Sequence, residues 1–256
     1  MSRVLFAAIL GLASCQKQSS EPAPAAAPAN APGAAPVAAG QAPGATGSGS
    51  IAGTVKLTGT PPVMELTKRQ ADPFCAKTPM KEEDVVVGAG GGLKNVIVRI
   101  TKGVTGAYPA PAGSATVDQS ACMYRPRVQG IVLGQPLVIK NSDQTLHNIH
   151  GYKGASTLFN KAEIPGLPPM TQQLTDADQI VKLKCDVHPW MTAFVLVSSH
   201  PFFAVTGDDG SFKIAGVPAG SYTVEAWHER YGAKTAQVTV AADKPATAAF
   251  QFSSGP

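Results

Sequence analysis

The sequence predicts an all-β protein assembled from sandwiches of short strands, and three observations carry that prediction. From Ser50 onward the chain breaks into short runs rich in Val, Ile, Thr and aromatic residues, bounded by Gly, Pro, Asn or Asp. No window keeps a helical period, because 22 prolines and 26 glycines among 256 residues interrupt nearly every one. The turn "DDGS" between two alternating runs is a hairpin signal, since Asp-Gly supplies the positive φ values a tight turn needs. Sheets of this kind bury one face, so sheet packed on sheet is the stable arrangement.

In chain order, the first two elements add nothing to a core. "MSRVLFAAILGLASC" has an early arginine, a short apolar run and small residues before Cys15. That is the build of a secretory signal over residues 1–14, too short for a permanent membrane span. "LASC" resembles the lipobox of bacterial lipoproteins, which implies that Cys15 is acylated and becomes the first mature residue. An ordinary signal peptide cut nearby is the alternative. Residues 15–49 are dominated by Ala, Pro and Gly, with no aromatic residue and almost no charge. Such a segment buries too little apolar surface to offset ordering, so it is expected to be a disordered tether spanning roughly 30 Å or more. Signal and tether predict a cell-envelope protein held to a membrane by lipid. Gln16 after the cysteine suggests, by the same resemblance, the periplasmic face of the outer membrane.

The folded part opens with "IAGTVKLTG", "DVVVG" and "LKNVIVRI" over residues 50–112. Its middle, 113–200, holds "GIVLGQPLVIKNS", "QIVKLKC" and "TAFVLVSS", and 201–256 holds "FFAVTGDDGSFKIAG", "SYTVEAWHE" and "TAQVTVAA". Within the last piece, the D-G-x-F hairpin and the G-x-P-x-G-x-Y turn of "DDGSFKIAGVPAGSYTVEAW" resemble the carboxypeptidase-regulatory-like, or transthyretin-like, sandwich module. That piece is too short to close a sandwich alone, and the runs before residue 112 look like its missing strands. The economical arrangement is one sandwich from 50–112 and 201–256, with a second domain inserted between them. The alternative gives the early strands to the central domain.

The formal charge of +4 is mild and its lysines and arginines are scattered, so nucleic acid is not an expected partner. Export permits disulfides. With Cys15 assigned to lipid and Cys185 to a metal, Cys75 and Cys122 remain as an even pair and are expected to bridge; two separately buried thiols are the alternative.

Chemistry concentrates in "KLKCDVHPWMTAF", where Cys185, His188 and Met191 share one short loop between two strand-like runs. A blue-copper site needs two imidazoles and a thiolate near one plane, with a weak axial thioether. Pro189 helps fix the turn. The second imidazole is available in "VIKNSDQTLHNIH", as His147 or His150. Zinc fits less well, because structural zinc sites do not seek methionine.

With these pieces in order, residues from about 114 to 199 resemble a cupredoxin, most like its amicyanin and plastocyanin members. The matching pieces are "MYRPRV", "LGQPLVIKNSD", "LHNIH" and the C-x-x-H-x-x-M loop. The resemblance implies one mononuclear type 1 copper held by His147, Cys185, His188 and Met191, with Asn148 tying the two ligand segments together. It also implies an electron-transfer edge at His188, facing solvent among Pro189 and Trp190. His150, in the same extended segment, is expected to share the face of His147 and is its one competitor. His200, before a proline at the domain junction, is expected to be a surface or hinge residue. His228 is expected to be structural, with contact to the partner domain or a second metal as its alternatives.

The expected function is electron transfer with a redox protein of unknown identity, from a protein tethered to the membrane by lipid. Copper storage or delivery is the alternative, although the six methionines are dispersed rather than clustered. A non-redox surface scaffold built on the sandwich module is a third. No nucleophile–base pair emerges, and "GAGGGL" lacks the strand-turn-helix setting of a phosphate loop, so no enzyme is expected.

Overall fold

A computed structural model describes residues 47–255; the signal segment, Cys15 and the tether up to residue 46 lie outside them. The chain opens with β1 (Gly49–Thr58) and β2 (Ile97–Lys102). It continues through β3 (Ala115–Ser120), β4 (Met123–Arg125), β5 (Val128–Val132), β6 (Leu137–Asn141) and β7 (His147–Lys153). There follow β8 (Ser156–Glu163), β9 (Met170–Gln172), β10 (Gln179–Lys184) and β11 (Thr192–Ser198). The last five are β12 (Phe203–Val205), β13 (Ser211–Val217), β14 (Gly220–His228), β15 (Gly232–Val240) and β16 (Pro245–Ser253). The described chain is all-β, its only helical pieces being 3-10 turns at Cys75–Lys77 and Ala89–Gly91.

Four sheets pair into two sandwiches. The outer sandwich sets β13-β1-β16 against β12-β2-β14-β15, closing over Ile51, Val55, Val98, Ile214, Val224 and Phe250. The inner one sets β5-β11-β10-β7-β8 against β4-β3-β6-β9, around Val117, Leu137, Ile139, Ile149, Leu183 and Val195. Strand β1 pairs antiparallel with β13 and parallel with β16, so strands from both ends of the described chain complete the outer sandwich. Its alternate residues Ile51, Val55 and Leu57 point to the core. Gly53 lets the backbones meet: a Cβ there would lie 1.6 Å from the Ala248 carbonyl oxygen.

Strand β11 shows how the two sandwiches join. Residues 193–198 are all buried rather than alternating, because the strand is covered on both faces. One face lies in the inner core, and on the other Phe194 and Leu196 pack with Ile97 and Phe203 of the outer sandwich. The Arg127 guanidinium reinforces this contact by gripping both oxygens of Glu229, at 2.7 and 2.8 Å.

Between β1 and β2 the chain makes a long crossover. "DVVVG" does not form the expected strand; only Val87 makes an isolated bridge, to Leu93. The expected disulfide does form, and Cys75–Cys122 ties this crossover to the turn between β3 and β4 in the inner sandwich. His200 is buried rather than at the surface, because its Nδ1 accepts the Phe202 N–H (3.2 Å) inside the junction. His228 is buried and stacked on Tyr231 in the outer sandwich.

Candidate metal centre

One end of the inner sandwich gathers the candidate ligands. His147 opens β7, Cys185 follows the last residue of β10, and Thr192 opens β11. Because β7 and β11 both pair with β10, the start of β7 and the loop 185–191 lie side by side. Within that loop the Met191 N–H donates to the His188 carbonyl (2.9 Å), closing a tight turn that turns His188 back toward Cys185.

His147 Nδ1 and His188 Nδ1 lie 2.8 Å apart, and Cys185 Sγ is 3.8 Å from His188 Nδ1. The donor atoms of all three residues fall within 4.8 Å of one another, and all three residues are buried. Met191 is fully buried in the same core cluster. Burial works against ionising the Cys185 thiol, but His147, His188 and the N–H groups of Asn148 and His188 outweigh it and bring it down to about 6. These contacts favour the thiolate, the form that binds a metal.

Both imidazoles are held from behind. His147 Nε2 donates to Asp143 Oδ2 (2.9 Å), and His188 Nε2 donates to Asp72 Oδ2 (3.0 Å). With each Nε2 turned to a carboxylate, Nδ1 is the nitrogen each ring turns toward Cys185, and it would be the one to bind a metal there. Asp143 also accepts the Ala121 and Cys122 N–H groups, both at 2.7 Å. Asp72 accepts the Thr145 hydroxyl (2.7 Å) and the N–H groups of Phe74 (2.7 Å) and Cys75 (3.0 Å). Although burial alone would raise the Asp72 carboxyl, Thr145, these two amides and His188 hold it at about 2. Two other donor groups, Asp72/Cys75/His188 and Cys122/Asp143/His147, share these histidines. Their cysteines are joined to each other and offer no thiolate.

Asn148 links the two ligand-bearing segments. Its Oδ1 accepts the Asp186 N–H (2.6 Å), while its Nδ2 donates to Asp186 Oδ2 (3.0 Å) and Asn160 Oδ1 (2.8 Å). His150 is not among the gathered donors. It stands three positions from His147, an odd offset, so the pleat sends it to the opposite face, where it meets Asp186 (3.0 Å) and Tyr152.

The solvent-facing edge expected at His188 is corrected by the structure. His188 is 2 % exposed, and its outer edge is covered by Asp72 and by Cys75, whose Sγ lies 3.8 Å from Nε2. Pro189 is exposed, but Trp190 is half-buried. Its indole N–H donates to the Cys122 carbonyl (3.0 Å) and its ring lies 5.0 Å from the His188 ring, with Arg69 above it. The physical reason is the disulfide, which pins residues 69–78 of the crossover across this end of the inner sandwich. Arg69 fastens the same strap by donating to the Thr78 and Ala121 carbonyls.

Sequence reasoning missed Asp72, Asp143 and Thr145. For Asp72 a signal existed: it lies three residues before Cys75, and Cys122 adjoins the "MYRPRV" segment that carried the resemblance. For Asp143 the signal is its place four residues before His147.

Residues 189–253 match the carboxypeptidase regulatory-like domain family. No curated protein matches the chain. Among solved structures, the chain is similar to a purple cupredoxin from Nitrosopumilus maritimus, at 24 % identity and TM-score 0.30, over 33 % of this chain and 100 % of that one. A copper-containing nitrite reductase from Thermus scotoductus matches at 18 % identity and TM-score 0.31, over 38 % of this chain and 25 % of that one. A reduced amicyanin variant matches at 19 % identity and TM-score 0.31, over 39 % of this chain and 99 % of that one.

Proposed function

We propose that the inner sandwich is a mononuclear type 1 copper domain that exchanges single electrons with a redox protein and catalyses no reaction of its own. The observation that supports this reading is the convergence of His147 Nδ1, His188 Nδ1 and the Cys185 thiolate in one buried pocket, with Met191 in the same core. Two imidazoles, one thiolate and a thioether suit copper in both oxidation states. When bound, copper supplies a one-electron couple. The chain's own residues hold the ligands still. Asp143 and Asp72 orient the two rings, the Asn148 and His188 N–H groups direct the sulfur lone pairs, and the core excludes water. Such preorganisation keeps the ligand geometry nearly constant between oxidation states, which lowers the rearrangement that accompanies electron exchange.

At the N-terminus, outside the described residues, we propose that Cys15 carries lipid and that the tether holds the sandwiches near a membrane of the cell envelope, on the periplasmic face of the outer membrane.

The copper reading is tested by absorption and EPR spectra of the Cu(II)-loaded protein. An intense thiolate-to-copper band is expected, lost in Cys185→Ser and in His147→Ala but kept in His150→Ala. A colourless wild-type protein would refute the assignment. One observation also suits a copper-holding role: the strap over His188 impedes metal release. Repeated reduction and reoxidation discriminates the two, since an electron carrier cycles without losing copper.

A further inference from the structure

We infer that electrons pass through the outer face of the five-stranded sheet, by way of Asp186, His150 and Tyr152, to a redox protein whose docking surface is acidic. This rests on the blue-copper reading and adds the route and the partner's chemistry.

Neither imidazole offers an edge to a partner. His147 is buried with its Nε2 on Asp143, and the far edge of His188 is closed by Asp72 and Cys75. Met191 is buried as well. Cys185 leads by a short covalent path to the surface through its neighbour Asp186, which, unlike Leu146 beside His147 or Val187 and Pro189 beside His188, carries a polar side chain that hydrogen-bonds onward. The Asp186 side chain is 49 % exposed and accepts a hydrogen bond from His150 Nδ1 at 3.0 Å. The His150 ring stacks on Tyr152 with centroids 4.0 Å apart, and its Nε2 accepts from the Thr157 hydroxyl (2.8 Å). A bonded and stacked path thus runs from the thiolate to two aromatic rings near the surface. Asn148 and Asn160 hold Asp186 in place, donating to its Oδ2 at 3.0 and 2.9 Å.

The charge around this path selects the partner. On β10, Lys184 stands directly opposite His150 and Lys182 opposite Tyr152. Neither lysine is paired with a carboxylate among the described residues, and Lys182 is exposed. Asp186 stays ionised under its hydrogen bonds, but two lysines against one carboxylate still leave the face a net positive charge beside the electron path. Exposed Val187, next to Asp186, adds an apolar contact. A partner rimmed with Asp and Glu fits, since complementary charge speeds encounter and aligns short-lived complexes. In the transfer itself the reduced site gives up one electron and the acceptor gains it, with no bond made and no proton moved.

Two measurements on the whole protein test this. First, hexacyanocobaltate(III), a redox-inert anion, is titrated into the metal-free protein while amide shifts are followed. Shifts are expected around residues 150–152, 160 and 182–187, and their loss in Lys182→Glu/Lys184→Glu. Second, oxidation of the Cu(I) form by ferricyanide is followed in the same variant, which should be slower by about tenfold at low ionic strength and near wild type at high salt. Lys77→Glu, on the strap, should change neither result. Shifts and rate loss that follow Lys77→Glu, or an unaffected Lys182→Glu/Lys184→Glu protein, would overturn the proposed face. Because the anion titration needs no copper, it separates failure of the docking face from failure of the copper reading, which the missing thiolate band alone would report.

Discussion

Replacing Cys75 and Cys122 together with alanine should cost about 4 kcal/mol of stability. The bond closes a loop between residues 47 apart in sequence. In the chain-entropy treatment a loop of that size removes about 14 cal/mol/K from the unfolded chain, or about 4 kcal/mol at 25 °C. This is a large share of the roughly 5–15 kcal/mol that a domain usually commands. The loss should be uneven. Trp190 belongs to the inner sandwich and Trp227 to the outer one, so single-tryptophan versions report on each separately. With a denaturant slope of about 2 kcal/mol/M, the urea midpoint read at Trp190 should fall by about 2 M. Amide exchange should also quicken at positions 74 and 75, whose backbone N–H groups rest on Asp72. A midpoint moved by less than about 0.5 M, with unchanged exchange at these two amides, would refute the reasoning. The strap would then be held by its polar contacts alone.

Other perturbations read other parts of the fold. Glu229→Ala strands the Arg127 guanidinium, whose side chain is only 7 % exposed, and should cost about 3–5 kcal/mol in urea unfolding. Burial, helped by Arg127 and only partly countered by Asp84, brings the His228 imidazole down to about 4. Its pKa in the unfolded chain is about 6.5, so the unfolded state binds the proton first as pH falls. Stability from this group is therefore complete above about pH 6.5 and drains away toward pH 4, by up to about 3 kcal/mol. His228→Phe should flatten that part of the stability–pH curve. Gly53→Ala places a Cβ against the Ala248 carbonyl oxygen and should cost at least about 2 kcal/mol, lowering the Trp227 transition before that of Trp190.

Legibility in the sequence followed the range of each interaction. Strands with β-branched alternation, such as "IAGTVKLTG" and "SYTVEAWHE", are readable because a pleat turns local pattern into burial. Strand β16, "PATAAFQFS", escapes the same reading because alanines fill a third of its positions and carry little β preference. Strand β8 escapes because only Phe159 and Glu163 of its eight residues are buried, as befits the edge of a sheet. "DVVVG" misleads in the other direction: its valines are apolar enough for a strand, yet only Val85 is buried in a core, with Val87 packed against it. In the site, spacing within one loop made Cys185, His188 and Met191 visible together. Asp72 touches His188 from 116 residues away, and no local pattern encodes a contact of that range. The resemblance pointed to an open His188 edge because it drew on the inner sandwich alone, whereas the strap that closes it comes from the outer one.

The pairing of β1 with β16 has a consequence in time. Residues such as Thr58 and Phe252, hydrogen-bonded in the finished sandwich, stand 194 positions apart. During synthesis at about 5–20 residues per second, β1 therefore waits roughly 10–40 s on the ribosome before its parallel neighbour exists. The inner sandwich, complete by Ser198, can collapse in that interval. Ile51, Val55 and Leu57 meanwhile remain uncovered on a strand whose two hydrogen-bonding edges are both vacant. Until β13 and β16 emerge, a chaperone that binds extended apolar segments has a ready client in the first strand of the protein.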